Sequence, residues 1–169
     1  MSFREIAPAE LQENVFRLIG EEWLLVSASD GGRTNAMTAS WGGMGVMWGK
    51  PVVFLFIRPQ RYTKEFIDAA DTLTVSVLQD EGHRLMSYFG SVSGRDEDKV
   101  AASGLHSFNV DGQACFEEAR LSLICRKLYV QPLEESCLLS EEDKKKWYPG
   151  GDYHVMYVAS VEKCLVKEQ

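Results

Sequence analysis

The sequence has few of the features that mark exported, membrane-bound or metal-binding proteins. Its 169 residues include only 4 cysteines, 3 histidines and 5 prolines. The cysteines form no C-x-x-C pair and H-E-x-x-H is absent, so no metal site is predicted. No run approaches the roughly 18 apolar residues of a membrane-spanning helix, and we expect no membrane association. The charged N-terminal segment lacks the apolar core of a signal peptide, so we expect a cytoplasmic protein with reduced thiols.

Basic residues are also scarce relative to acidic ones. The chain has 18 lysines and arginines against 25 acidic residues, a net charge of −7. Binding nucleic acid through bulk charge needs a basic face, so no nucleic-acid partner is expected. A small anionic ligand is not excluded, because a few local cations can hold it. The length and the apolar fraction of 45% predict a single domain over residues 1–169.

Strand patterns outnumber helix patterns along the chain. The predicted strands lie at residues 23–28, 34–41, 51–57, 72–77, 121–130 and 154–166. The predicted helices lie at residues 8–19, 62–70, 81–89 and 97–103. Because regular β-α-β alternation is missing, the pattern indicates a mainly β protein of the α+β kind, a β-barrel with short decorating helices.

The segment from Trp41 to Gly49 is rich in glycine. Its spacing is not G-x-G-x-x-G and a strand follows it, which argues against a dinucleotide phosphate loop. Two interpretations stay open. The segment is either a flexible loop between strands, or a surface of small residues on which a flat aromatic ligand lies between Trp41 and Trp48.

Two further segments combine cations with predicted helix starts. The run from Arg58 to Lys64 carries three cations and no acid, with Thr63 as the predicted N-cap. In the second segment, Ser93 and Gly94 precede a helix that Asp96 is predicted to cap, with Lys99 one turn inside. Free N–H groups and cations at helix starts favour a phosphate. The alternatives are an exposed basic turn and an ordinary capped helix.

No side chain stands out as a nucleophile or a general acid or base. A G-x-S-x-G motif is absent. The charged run E-E-D-K-K-K at 141–146 has no net charge, since its acidic and basic residues are equal in number. The aromatic segment Trp147–Gly151 either closes over a ligand or packs on the barrel or a partner subunit. His154 is either a structural residue or part of a ligand site.

The sequence resembles the flavin reductase-like family of FMN-binding split barrels, in particular its flavoredoxin-like branch, over nearly the whole chain. The order and spacing of several motifs carry the resemblance: N-A-M-T-A-S-W-G at 35–42, R-P-Q-R-Y-T at 58–63, S-G-R-D at 93–96 with Lys99, E-A-R-L at 118–121, C-R-K-L-Y at 125–129 and D-Y-H-V-M-Y at 152–157. The resemblance implies a split β-barrel with short helices that binds FMN and works as a homodimer.

The resemblance also implies roles for the matching positions. The segment from Asn35 to Trp41 is expected to line the flavin ring and ribityl chain. The residues expected to hold the phosphate are Arg61 and Thr63, with Tyr62 nearby, and a second group of Ser93, Arg95 and Lys99. The predicted cofactor-binding residues are Asn35, Ala36, Met37, Thr38, Ser40, Trp41, Arg58, Arg61, Tyr62, Thr63, Ser93, Arg95 and Lys99. His154 matches a position near the flavin or the subunit boundary, and no other residue is assigned to catalysis. The segments 42–49 and 147–151 vary among relatives.

Three functions are compatible with this resemblance. The first is an NAD(P)H-dependent flavin reductase, in which hydride passes from NADH or NADPH to N5 of the isoalloxazine, although no separate nicotinamide motif is visible. The second is a flavoredoxin-like electron carrier, which holds FMN tightly, exchanges electrons with a redox partner protein and does not oxidise NAD(P)H. The third is a ligand-binding or haem-binding split barrel without redox turnover, against which Arg61 and Lys99 argue.

Overall fold

The computed structural model describes residues 2–79 and 82–168, and its main component is antiparallel β-sheet. The strands are β1 (Phe3–Ile6), β2 (Leu24–Ser29), β3 (Thr34–Ala39), β4 (Gly42–Met47), β5 (Lys50–Ile57), β6 (Thr72–Leu78), β7 (Ser107–Val110), β8 (Gln113–Phe116), β9 (Ala119–Pro132) and β10 (Val155–Lys167). The helices are α1 (Val15–Arg17), α2 (Thr63–Ala69), α3 (Gly82–Ser91), α4 (Lys99–Ser103) and α5 (Glu141–Trp147). Shorter 3₁₀ turns lie at Pro8–Glu10 and Glu135–Cys137, and a π-helical turn at Leu18–Glu22. The prediction of a mainly β protein with short helices is confirmed.

Eight strands form one sheet in the order β3-β2-β6-β9-β10-β5-β4, with β1 added on β10. The β2–β3 and β4–β5 hairpins therefore lie at the two ends of this path, and Ser40 and Trp41 connect one end directly to the other. The long strands β9 and β10 pair in the middle, with register shifts at Val158/Ala159 and at Val161/Lys163. Such irregularities bend a strand, which helps the sheet to curve around its core. Strands β7 and β8 form a separate hairpin.

The main core lies on one face of the curved sheet. Every second residue of a strand points to the same side, as Val53, Leu55 and Ile57 do on β5. The other face of β2 and β3 is also buried, because α3 packs there through Met86 and Phe89. This packing brings the C-terminal end of α3 beside β3, the strand that carries Asn35.

The predicted helix over residues 8–19 is wrong, since the segment is divided into three short pieces. A 3₁₀ turn covers Pro8–Glu10, and α1 starts only at Val15. The side chain of Asn14 accepts hydrogen bonds from the backbone nitrogens of Phe16 and Arg17 at 3.1 and 3.2 Å. An asparagine in this role starts a new helix instead of continuing an old one.

The loop interpretation of the glycine-rich segment is also wrong, because most of this segment is strand β4. A Cβ atom added to Gly42 would lie 2.4 Å from the carbonyl oxygen of Phe54 on β5. Glycine is therefore required there so that two backbones can approach closely. The sequence patterns missed the short strands β1, β7 and β8 and the helix α5. Of the predicted helix at 81–89, residue 81 lies outside the described residues.

Candidate functional site

Arg61 and Lys99 converge on the C-terminal end of α3. The guanidinium of Arg61 donates hydrogen bonds to the carbonyl oxygens of Gly90 and Phe89, at 2.5 and 3.0 Å. The ammonium of Lys99 donates to the same Phe89 oxygen at 3.2 Å. Carbonyls in the last turn of a helix lack partners within the helix, so these two cations satisfy them. We call Arg61 and Lys99 the cation pair.

The cation pair is removed from water without a carboxylate to balance it. Lys99 is only 2% exposed and Arg61 is half-buried. Among the salt bridges of the described residues, none includes either side chain. Burial, followed by the charge of Arg61, lowers the pKa of Lys99 to about 8, and burial also lowers the pKa of Arg61. Buried charges of one sign are unfavourable when no opposite charge balances them, so this arrangement favours the binding of an anion beside the two cations.

Asn35, Thr63 and Gly94 form a tight polar contact between three segments of the predicted site. The amide of Asn35 donates to the hydroxyl of Thr63 at 3.0 Å, and both side chains are buried. A Cβ at Gly94 would lie 2.4 Å from Oδ1 of Asn35, so the turn at residues 93–95 lies directly against β3. The structure thus brings the predicted residues of β3, α2 and this turn together.

The predicted helix caps at these segments are wrong. Tyr62 precedes α2, and Thr63 is its first residue, with its hydroxyl directed to Asn35. Asp98 rather than Asp96 caps α4, accepting from the backbone nitrogen of Ala101 at 3.0 Å. The two helices have only 7 and 5 residues. Their dipoles are correspondingly small, and the positive potential of this region comes from its cations.

Arg95 and Tyr62 lie at the surface of this region. The guanidinium of Arg95 pairs with Glu65, lies 4.6 Å from the ring centre of Tyr62, and donates to the carbonyl of Gln60 at 3.3 Å. The hydroxyl of Ser93 accepts from the backbone nitrogen of Arg95 at 3.2 Å. Exposed ion pairs contribute little stability, so Arg95 can exchange Glu65 for a ligand anion at small cost.

Strand β3 connects this region to an aromatic one. Ala36 and Met37 are buried, so they offer a ligand only their backbone groups, and Thr38 donates to the carbonyl of Met86 on α3. Ser40 is exposed and Trp41 is half-buried just beyond the end of the strand. At about 3.3 Å per residue, the backbone from Asn35 to Trp41 extends over roughly 15–20 Å.

Trp41 packs against two aromatic rings from the end of the chain. Its ring centre lies 5.0 Å from Trp147, edge to face, and 4.7 Å from His154. The hydroxyl of Tyr148 is hydrogen-bonded to Nδ1 of His154 at 2.9 Å. We call Trp41, Trp147, Tyr148 and His154 the aromatic cluster. In this structure the segment 147–151 contacts the barrel through Trp147 and Tyr148, and its closure over a ligand stays a prediction.

Arg58 holds the chain segment that carries this cluster. It pairs with Asp152 and donates to the carbonyl of Trp147 at 2.8 Å, while the amide of Gln60 donates to Asp152 at 2.8 Å. Burial, followed by the charge of Arg58, lowers the pKa of His154 to about 4, so the imidazole is neutral near pH 7. The sequence predicted a cofactor contact for Arg58, whereas its contacts here are with this segment.

Sequence patterns missed several groups of the site. The α3 carbonyls that hold the cation pair have no side-chain signature. Asp152, Gln60 and Tyr148 are ordinary residues of polar segments, and only their position in the fold reveals a role. The described residues contain no group of three or more side chains placed to hold a metal ion.

The fold and these groups define a mainly β protein with a cationic region and an aromatic region along one strand. The family model of the flavin reductase like domain matches residues 16–169. The chain therefore belongs to the flavin reductase-like family, and the predicted family is confirmed.

Solved structures of this family have the same fold. An FMN-binding domain of a flavin reductases-like enzyme from Shewanella baltica is 20% identical, with a TM-score of 0.70 over 98% of this chain and 77% of that one. A flavoredoxin from Methanosarcina acetivorans is 21% identical, with a TM-score of 0.69 over 97% and 77%. An NADH:FAD oxidoreductase from Streptomyces globisporus is 18% identical, with a TM-score of 0.64 over 86% and 75%. The predicted split-barrel fold class is confirmed.

Two other comparisons complete the description. Among curated proteins, no match was found. Of the helices within residues 2–79 and 82–168, none combines the length and the apolar character that a membrane span requires.

Proposed function

We propose that this protein binds FMN and acts as an NAD(P)H-dependent flavin reductase. The observation that carries the proposal is the cation pair, in which the buried Lys99 and the half-buried Arg61 meet on the Phe89 carbonyl without a carboxylate partner among the described salt bridges. Thr63 follows Arg61 closely in the chain, and its hydroxyl accepts from Asn35, which lies against Gly94 in the turn of Ser93. A phosphate monoester has charge near −2 at pH 7 and three acceptor oxygens. This donor set therefore fits the phosphate of FMN.

The rest of the flavin fits the length of β3. Arg61, Thr63, Ser93 and Lys99 would hold the phosphate, with Arg95 exchanging Glu65 for it. Backbone groups from Asn35 to Ser40 would accompany the ribityl chain, and Trp41 would lie at the ring end. The polar end and the aromatic end of this strand correspond to the two chemically different ends of FMN.

The protein's own contribution to the reaction is to bind and orient. FMN, when bound, would supply the redox chemistry as the acceptor of hydride from a nicotinamide. His154 is neutral near pH 7, because its pKa is lowered to about 4, so it provides a hydrogen-bonding group and not a general acid. Trp147 and His154, whose ring centres lie 5.0 and 4.7 Å from that of Trp41, would limit the access of water to the isoalloxazine from that side.

The test uses purified protein reconstituted with FMN. We expect FMN to remain bound through gel filtration, and we expect NADH or NADPH to bleach the flavin absorbance without oxygen. Arg61→Ala should bind FMN more weakly, whereas the matched variant Arg126→Ala, which removes an exposed arginine paired with Glu162, should bind it normally. Protein that neither binds FMN nor oxidises NAD(P)H in its presence would overturn the proposal.

A flavoredoxin-like electron carrier is the second candidate function. Trp147 and His154 already cover Trp41 from two sides, which leaves less room for a nicotinamide to stack at that end. A carrier would retain FMN and pass electrons to a redox partner protein, but would oxidise neither NADH nor NADPH. Reduction of the bound flavin by dithionite alone, with fast reoxidation by an electron-accepting protein, would establish this function in place of the reductase.

We also propose that the working unit is a homodimer in the cytoplasm. Val46 and Trp48, on the β4–β5 hairpin, are 77% and 60% exposed, and large apolar side chains at a surface favour a protein partner. Trp48→Gln should weaken dimerisation in light scattering, whereas Leu139→Gln, which changes a fully exposed leucine elsewhere, should not. The free thiols support a reducing compartment.

A further inference from the structure

Lys99 is the buried group whose charge the fold leaves least compensated. Its ammonium has three N–H donors, and one hydrogen bond is formed, to the carbonyl of Phe89. The ring of Phe89 lies on its other side, 5.5 Å from Nζ to the ring centre. At 2% exposure, Lys99 has little access to bulk water for the remaining donors. An unsatisfied buried ammonium either attracts an anion or loses its proton.

The neighbouring charges favour loss of the proton in the free protein. Arg61 is a permanent cation that also donates to the Phe89 carbonyl, and β3, which packs on α4, has no charged side chain. On α3 the titratable neighbour is Tyr88, whose pKa is raised by burial and then by Glu97. Glu97 and Asp98 lie on the same segment as Lys99, yet neither forms a salt bridge with it among the described residues.

We propose that Lys99 takes up a proton when a phosphate monoester binds to the cation pair, so that binding of FMN weakens as the pH rises. This inference rests on the proposed FMN site. The incoming anion balances the two cations, which favours the charged form of Lys99 in the complex. Arg61 keeps its proton throughout, because guanidinium groups are not deprotonated in proteins. Riboflavin lacks the phosphate and should not produce this effect.

The size of the effect follows from the pKa of Lys99 in the free protein, which is about 8. Lys99 is expected to have a higher pKa in the complex with FMN than in the free protein. Its charge therefore contributes fully to FMN binding below the pKa of the free protein, and this contribution is lost progressively as the pH rises above that pKa. By this linkage, FMN should bind about tenfold more weakly at pH 9 than at pH 7. The phosphate, with a second pKa of about 6, stays a dianion over this range and does not contribute.

Calorimetry can measure directly how many protons the protein takes up when FMN binds. FMN and riboflavin are titrated into the wild-type protein at pH 7 and pH 9, each in two buffers that differ in ionisation enthalpy. We expect about 0.9 protons to be taken up per FMN at pH 9, about 0.1 at pH 7, and almost none with riboflavin. Uptake at pH 9 that is equal for FMN and riboflavin, with FMN bound, would overturn the inference.

Two variants assign the proton to Lys99. Lys99→Arg keeps the charge at all these pH values and Lys99→Met removes it, so FMN binding to either should show no proton uptake at pH 9. Uptake that persists in Lys99→Met would contradict the assignment. If the variants fail to fold, which circular dichroism detects, the wild-type comparison of FMN with riboflavin decides alone. Failure of FMN to bind at any pH would instead remove the proposed function, and this inference with it.

Discussion

Asn35 and Gly94 lie so close together that no side chain fits between them. A Cβ at Gly94 would be 2.4 Å from Oδ1 of Asn35 and 2.8 Å from its Cγ and Nδ2. Asn35 is 4% exposed and its amide donates to Thr63, so it cannot move aside without losing that hydrogen bond. This contact sets the distance between strand β3 and the turn that carries Ser93.

Gly94→Ala should therefore destabilise the protein. Forcing a methyl group into a packed site costs about 1–3 kcal/mol, and here the displaced Asn35 would also disturb the phosphate region. Unfolding in urea measures the first effect and FMN titration the second. Gly20→Ala is the control, because a Cβ at Gly20 meets nothing within 4 Å. Equal stability of the two variants would show that the space between Gly94 and Asn35 can accommodate a methyl group.

Arg61→Ala should weaken FMN binding by about tenfold to hundredfold, since hydrogen bonds to charged groups contribute about 1.5–3 kcal/mol. The double variant Arg61→Ala/Lys99→Ala should lose several kcal/mol at most, and less than the sum, because the two cations share the Phe89 carbonyl. Fluorescence titration with FMN measures both. Unchanged affinity in the double variant would mean that the phosphate binds elsewhere.

His154 should make the protein less stable in mild acid. Its pKa is lowered from 6.5 to about 4 in the folded state by burial and by Arg58. The folded state thus disfavours the charged form, so this stability is complete above pH 6.5 and is lost as the pH falls toward 4. At 1.36 kcal/mol per pKa unit, the loss is about 3 kcal/mol at most.

The variant His154→Gln isolates this effect from the carboxylates that titrate in the same range. Its free energy of unfolding should fall less than that of the wild type between pH 6.5 and 4.5. In the wild type, NMR should show the imidazole neutral at pH 6. A pKa near 6.5 for His154 in the folded protein would refute the prediction.

Asp152→Asn should loosen the segment that carries the aromatic cluster. The change removes the charge that pairs with Arg58 and accepts from Gln60. Trp147 should then be quenched more strongly by iodide or acrylamide, with little change in the sheet signal of circular dichroism. Glu162→Gln, which removes an exposed ion pair with Arg126 between β9 and β10 and touches none of the aromatic cluster, should leave the quenching unchanged.

The local patterns predicted most strands but few helix boundaries. The apolar run at 51–57 indicated β5 because a strand buried on its inner face keeps an alternating or continuous apolar pattern. The N-terminal helix was wrong because apolar spacing does not show that Asn14 starts a new helix. The hairpin β7–β8 was missed because each strand has only 4 residues.

The predicted site residues rest on motif order, and their roles toward FMN stay a prediction. Motifs around Asn35, Arg61 and Lys99 could be recognised because they are contiguous. The contacts of Arg58 with Asp152 join residues 94 positions apart, and no local pattern encodes such a distance. The cofactor contact of Arg58 stays a prediction, and the sequence did not predict its contacts with Asp152 and Trp147.

By itself, the sequence determined the class of fold, because alternating apolar residues bury one face of a strand wherever that strand lies. It also determined the family, because several motifs occur along the chain in the order and spacing of the flavin reductase-like family. Only the tertiary structure decided that Arg61 and Lys99 meet on the carbonyl of Phe89, and that neither forms a salt bridge among the described residues. Burial and proximity are properties of the folded molecule, and they are what make these two ordinary cations the phosphate site that we propose.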